Sequence, residues 1–364
     1  RKLKSDKMLF TATLLLVCAS IVMVYSASAV VALERFDSPY LFLTKQALWT
    51  ALGFAVLAIA MHIDYRTYRQ DAFVWALLGI VAVLLVGVFF SAPVNGTRRW
   101  LNIGPLGIQP SELAKIAAVL FTALVLERRL HRINELSYSL APIGIVVGVL
   151  FGLIVLQPDY GTAIILLFIV GTMIFAAGLH YKYIAGAALA AVPVLYVLLM
   201  SADYRRRRLL AFWDPWSDPL GDGFQIIQSL IAVGTGGAFG RGLMGGVQKL
   251  FYLPEPHTDF IYAVIGEELG LAGATAVLVC FCVIAWRGLR IATRAADTFG
   301  ALVALGLTTM IAVQAFVNMS VVLGLMPTKG IPLPLVSNGG SSLLVNLLGM
   351  GILLNISQHE VGDA

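Results

Sequence analysis

Charge is scarce in this 364-residue chain: Asp, Glu, Lys and Arg make up 12% of it, against about 25% in an ordinary water-soluble domain. Hydrophobic residues make up 59%. One water-soluble core cannot bury that much apolar surface, so the composition excludes a soluble enzyme or binding module and makes lipid the solvent. Cysteine is scarce too. Cys18, Cys280 and Cys282 all lie inside long apolar runs, where small core residues are far commoner than disulfides or metal ligands. The five histidines are scattered, none in an H-x-x-H or Cys/His cluster, so no tightly held metal is expected. No fixed-period repeat or low-complexity linker breaks the chain, and nucleic acid is not an expected partner.

Long apolar runs are there in place of all this. Stretches of about twenty apolar residues, the length that crosses a hydrocarbon core, fall near 8–32, 46–63, 72–92, 110–127, 140–157, 161–179, 183–201, 260–286, 299–326 and 339–357. They predict an all-α integral membrane protein, a single polytopic domain over 1–364 built as a ten-transmembrane-helix bundle. The first run is too long for the core of a cleaved signal peptide, and a sequence that starts at Arg1 leads us to expect a natural segment before it. With the N-terminus inside, the inner segments hold Arg1, Lys2, Lys4, Lys7, Arg66, Arg69, Arg128, Arg129, Arg132, Lys182, Arg287, Arg290 and Arg294. The short outer loops hold only Arg35, Lys45, Arg98, Arg99 and Lys329. That bias predicts both termini in the cytoplasm.

The exception is a long outer loop between spans 7 and 8, about 202–258, which carries Arg205 to Arg208, Arg241 and Lys249. Two readings fit it. Trp213 and Trp216 can anchor at headgroup level while the arginines snorkel to lipid phosphates, or the cations neutralise a phosphorylated ligand that arrives through the membrane.

Ionisable residues near membrane depth mark function by default, and here they are Glu112, Lys115, Asp159, Asp259, Glu267 and Glu268. Glu112 and Lys115, three apart on one helix, can pair with each other or touch substrate. Asp259 opens the eighth span after Tyr252-Leu-Pro-Glu-Pro-His-Thr258, where a carboxylate can cap the helix, act as a general base, or do both. Of Glu267 and Glu268, whose side chains point about 100° apart, at least one should face the bundle interior. Glycines crowd 234–246, and Pro327 to Ser342 is rich in Pro and Gly. Neither has a nucleotide-binding spacing; flexible backbone lining a cavity or close helix approach explains both.

The segments Asn95-Gly-Thr-Arg-Arg-Trp100, Gln109-Pro-Ser-Glu-Leu-Ala-Lys115, Gln157-Pro-Asp-Tyr-Gly-Thr162, Phe212-Trp-Asp-Pro-Trp216, Gln225-Ile-Ile-Gln-Ser-Leu230, Leu253-Pro-Glu-Pro-His-Thr-Asp-Phe260 and Gly339-Gly-Ser-Ser342, in that order over ten spans, closely resemble the SEDS family of cell-wall polymerases. Lys249 to Pro254, Gly266 to Gly270 and Pro327 to Gly330 look more like its division-type members than its elongation-type ones. Asn338, where the division type usually has Tyr, and Met244-Gly-Gly depart from the pattern.

The resemblance implies a peptidoglycan glycosyltransferase that polymerises lipid II, an undecaprenyl-pyrophosphate-linked disaccharide-pentapeptide, at the outer face of the bacterial cytoplasmic membrane, and for the division type at the septum. It implies Asp259 as the essential acid and proposed base, and contacts to substrate from Arg98, Arg99, Trp100, Glu112, Lys115, His257, Thr258, Lys329 and Ser341. It implies no tightly bound cofactor, although a divalent cation is compatible with a pyrophosphate. The implied partners are a separate class B penicillin-binding protein transpeptidase, other division proteins and membrane lipid. A lipid II flippase would share the ten helices and the lipid-phosphate site, but should spread its polar residues along a path through the bilayer. A non-catalytic scaffold would tolerate loss of Asp259.

Overall fold

The computed structural model describes residues 5–93, 97–103, 106–200 and 203–360. Each predicted apolar run is occupied by a helix: α1 (Lys7–Phe36), α2 (Leu41–His62), α3 (Asp71–Gly87), α4 (Pro110–Arg129), α5 (Leu136–Leu156), α6 (Tyr160–Ala176) and α7 (Tyr181–Met200), then, beyond α8 (Asp203–Trp213) and α9 (Phe224–Gly236), α10 (Ile261–Arg294), α11 (Thr298–Val322) and α12 (Gly340–Gln358). Seven of them (α1, α2, α3 with its 3-10 extension, α5, α10, α11 and α12) are long and apolar enough to cross a bilayer. In lipid a helix satisfies its own backbone, which is why unbroken apolar runs became helices almost residue for residue.

The structure corrects the sequence reading in three places. The protein is not purely helical: β1 (Leu101–Ile103) and β2 (Leu106–Ile108) pair antiparallel between α3 and α4, Leu101 opposite Ile108. The segment predicted as a long outer loop contains α8 and α9, and at about 20 Å by helical rise the 13 residues of α9 are too short to span. Helix α10 runs on to Arg294 past the apolar limit near 286, because Arg287, Arg290 and Arg294 suit a helix C-terminus.

Helix α10 is also broken. Gly270 has φ 67° and ψ −164°, and a methyl there would stand 2.3 Å from Gly240 N, so only glycine fits. At the break the carbonyls of Glu267 and Glu268 lose their partners four residues on. Arg241 N and Gly242 N take them instead (both 3.0 Å), while Leu271 N and Ala272 N turn to Gly237 O and Ala238 O (2.9 and 3.1 Å). The glycine-rich segment is therefore backbone closely applied to a helix break, and it satisfies every group the break exposes.

The centre of the bundle is α4 with α11 and α12, whose side chains are mostly buried. The bundle end holding the connections after α3, α5, α7 to α9, and α11 gathers most of the predicted site.

Candidate active site

Asp259 stands two residues before α10. It does not cap the helix: the N-cap is Phe260, with no side-chain cap bond, and no described group donates a hydrogen bond to the Asp259 carboxylate. Its carboxylate lies over Gly330, where a methyl would come within 2.7 Å of Oδ2. Glycine at 330 thus lets the backbone of the α11–α12 connection press against the acid. Burial, reinforced by Glu255 and Asp159 and opposed by Arg99 and Arg208, pushes the Asp259 carboxyl up to about 7.

The charge around it is positive. Arg99 lies 3.9 Å from Asp159 and donates to Gln157 O and Pro158 O (3.3 and 2.6 Å). Lys329 Nζ and the Arg205 guanidinium share the ring of Tyr160, at 5.4 and 4.7 Å from its centroid. Arg208 donates to Thr328 O (3.3 Å). On α8 Arg205 and Arg208, three apart, turn inward, while Arg206 and Arg207 stay exposed. Trp213 and Trp216 are exposed as well, so one short helix accommodates both readings of the outer-loop cations. Burial, with Arg99, Arg208 and Arg205 close by, outweighs Asp159 and lowers Lys329 to about 8.

Asp159 was a candidate by its depth alone and proves central. Buried at the start of α6, it accepts from Gln109 Nε2 (3.1 Å), Ser111 Oγ (3.3 Å) and Thr162 N (3.4 Å), and so ties α4, α6 and Arg99 together.

Over residues 6–362 the chain matches the cell cycle protein family of FtsW, RodA and SpoVE. The chain belongs to this SEDS family. A probable peptidoglycan glycosyltransferase FtsW of Geobacter sulfurreducens (strain DL-1 / KN400) is 45% identical over 360 residues, 98% of this chain and 96% of that protein. Stage V sporulation protein E of Bacillus subtilis (strain 168) is 43% identical over 99% of both. A chain in a solved structure described as "Structural coordination of polymerization and crosslinking by a peptidoglycan synthase complex" superposes with TM-score 0.80 at 31% identity, over 98% of each chain.

In this SEDS chain the expected site residues separate into groups. Asp259, Arg99 and Lys329 share one electrostatic environment, joined by Arg205, Arg208, Asp159 and Tyr160. Arg98 turns away, donating to Phe89 O (2.7 Å) at the end of α3, and Trp100 is only partly buried beside it. Asn95 and Gly96 of the same motif lie outside the described residues. His257 packs its ring on Phe42 at 4.6 Å, and burial lowers its pKa below the usual imidazole range. Thr258 folds back on Glu255 (3.4 Å) and accepts from Ser337 Oγ through its carbonyl (2.6 Å). Ser341 Oγ is occupied by Gln109 N (3.1 Å).

Glu112 and Lys115 pair at 3.0 Å and are wholly buried. Gln314 Oε1 accepts from Lys115 (2.8 Å) and Ser342 Oγ donates to Glu112 (3.1 Å). The pair is closed off by these partners, which fits a structural tie better than a substrate contact. Both Glu267 and Glu268 are buried, so two carboxylates face inward where at least one was expected. Glu268 accepts from Lys249 Nζ (2.5 Å), Ser26 Oγ (2.7 Å) and Met244 N (3.1 Å); Glu267 accepts from Val247 N (2.8 Å) and Gln248 N (3.1 Å).

Proposed function

We propose that this chain is a lipid II polymerase: an inverting peptidoglycan glycosyltransferase with Asp259 as its general base. The observation that carries the reading is a half-buried carboxylate with no hydrogen bond from any described group, poised near neutrality beside a cluster of cations. A base needs a free lone pair and a pKa close to the working pH, and such a group contributes roughly 10²- to 10⁴-fold.

The acceptor sugar's 4-hydroxyl attacks the anomeric carbon of the lipid-linked donor. The new C1–O4 bond forms as the C1–O bond to the lipid pyrophosphate breaks, and the hydroxyl proton passes to the Asp259 carboxylate. Inversion in one displacement needs no covalent enzyme intermediate. Arg99, Arg205, Arg208 and Lys329 supply positive charge where the departing pyrophosphate gathers negative charge. The outward residues of α8 suit lipid headgroups, so the substrate's isoprenoid tail can remain in the bilayer.

The topology that goes with this reading has ten spans and both termini in the cytoplasm of a bacterial inner membrane, which puts Asp259 and the cation cluster on the outer side. Division at the septum is the setting we favour, from the FtsW relatives and the division-type segments. The likeness to a chain of a peptidoglycan synthase complex supports a class B penicillin-binding protein as partner. A flippase is disfavoured because Asp259, the cations around it and the Pro/Gly-rich segment gather at one end of the bundle instead of being spread along a path through it.

The test is polymerisation of labelled lipid II by the chain purified with a class B penicillin-binding protein whose transpeptidase site is blocked. Polymer from the wild type and none from folded Asp259→Asn is the expected result. No polymer from a folded wild-type complex would point to the flippase, and equal polymer from both would remove Asp259 as the base.

A further inference from the structure

The Asp259 carboxylate accepts no hydrogen bond from the described residues, but its backbone carbonyl does. Asn318, buried on α11, donates both hydrogens of its side-chain amide: one to Asp259 O (2.8 Å) and one to Ile331 O (2.7 Å). One turn before it Gln314, equally buried, donates to Pro332 O (3.3 Å) and accepts from Lys115 (2.8 Å). The two amides, four apart on one face, thus hold the irregular stretch that carries Lys329 and Gly330 and join it to the residue that carries the acid. That stretch has little regular structure of its own between α11 and α12.

We propose that Asn318 is a positioning residue of the active site, holding the Asp259 backbone against the Lys329–Ile331 segment so that base and cation keep one fixed relation. Gln314 supports it by anchoring the same segment to the Glu112–Lys115 pair. The inference rests on the reading of Asp259 as base. It gives the buried Glu112–Lys115 pair a function at a distance: the pair fixes Gln314, and Gln314 fixes the floor of the site.

Losing the Asn318 amide releases Asp259 from Gly330 and lets water reach the carboxylate. The groups that act on Asp259 are Glu255 on its own segment, Arg99 before the β ribbon, Asp159 at the start of α6 and Arg208 on α8, with Lys329 one residue from Gly330. Asn318→Leu disturbs none of them directly. Its acid group should therefore move toward the ordinary carboxylate range.

The experiment uses the full chain with its transpeptidase partner. Polymerisation of labelled lipid II is followed against pH and substrate concentration for wild type, Asn318→Leu and Asn318→Gln, with Asp259→Asn alongside. For Asn318→Leu we expect kcat to fall about 10²-fold, the loss that roughly 1 Å of misplacement can cause, with KM little changed. The acid limb should move to lower pH, and Asn318→Gln, which keeps the donors, should recover part of the rate. A wild-type rate with an unmoved limb overturns the proposal, as does a lower rate with an unmoved limb, which means only a smaller folded fraction. If Asn318→Leu fails to accumulate, Asn318→Ser, too short to reach both carbonyls, is judged by the same criteria. Activity in Asp259→Asn would defeat the base assignment itself; an inactive Asp259→Asn beside an unaffected Asn318→Leu would defeat only the positioning role.

Discussion

Two buried carboxylates and one half-buried carboxylate lie within ten residues of each other, and they are treated in opposite ways. Glu267 and Glu268 sit in the first half of α10 and accept from backbone amides, a lysine and a serine. The Asp259 carboxylate, just outside the helix, accepts nothing from the described residues and is held up near neutrality. Burying a charge is tolerable when it is fully bonded and costly when it is not. The first arrangement fastens the glycine-rich segment to α10 and α1, while the second keeps an acid available for chemistry.

The difference can be broken from either side. The largest effect is expected from Asp259→Asn, which should lower lipid II polymerisation by about 10²- to 10⁴-fold in a chain that still folds. Glu268→Gln should do the reverse. It leaves Lys249, 3% exposed, buried without its counter-charge, a defect that costs about 3–5 kcal/mol. The loss should appear as a lower melting temperature of the purified chain, with turnover per folded molecule largely kept, and a second change, Lys249→Met, should restore part of the stability.

The pH profile sharpens the comparison. Asp259 must be ionised to accept a proton, so the rate should rise as pH climbs through about 7. Lys329 must be protonated to neutralise a pyrophosphate, so it should fall as pH climbs through about 8. Lys329→Arg, whose guanidinium keeps its proton, should remove the basic limb and leave the acid one in place. The smallest effect expected is on stability. A carboxyl raised in the folded state destabilises the fold progressively above its unfolded value, and most fully above pH 7. Asp259→Asn should therefore raise the melting temperature more at pH 8 than at pH 5.

The helices were legible because lipid admits few alternatives: an apolar run of sufficient length, with no water for its backbone, becomes a helix. The β1–β2 ribbon, α8, α9 and the break at Gly270 were not, since each depends on what lies against it. No pattern within 261–294 announces that Gly237 to Gly242 will take over four backbone bonds. In the site, Asp259, Arg99 and Lys329 were named from sequence, while Arg98, with the same charge one residue away, turns instead to Phe89 O. Glu112 and Lys115 stood out as charges in an apolar helix, and their closure by Gln314 and Ser342 could not be foreseen from their own segment. Gln314 and Asn318 escaped notice because uncharged amides in a long apolar run stand out little. The signal was their spacing of four on a helix that otherwise faces lipid or core.

Helix breaks usually suggest joints. At Gly270 four backbone groups of α10 are caught again by the segment from Gly237 to Gly242, so bending there would cost several bonds at once. The break acts as a splint. It ties the segment that follows α9 to the first turns of α10, two residues beyond Asp259. The same backbone that closes the break thus also fixes where α9 ends relative to the start of α10.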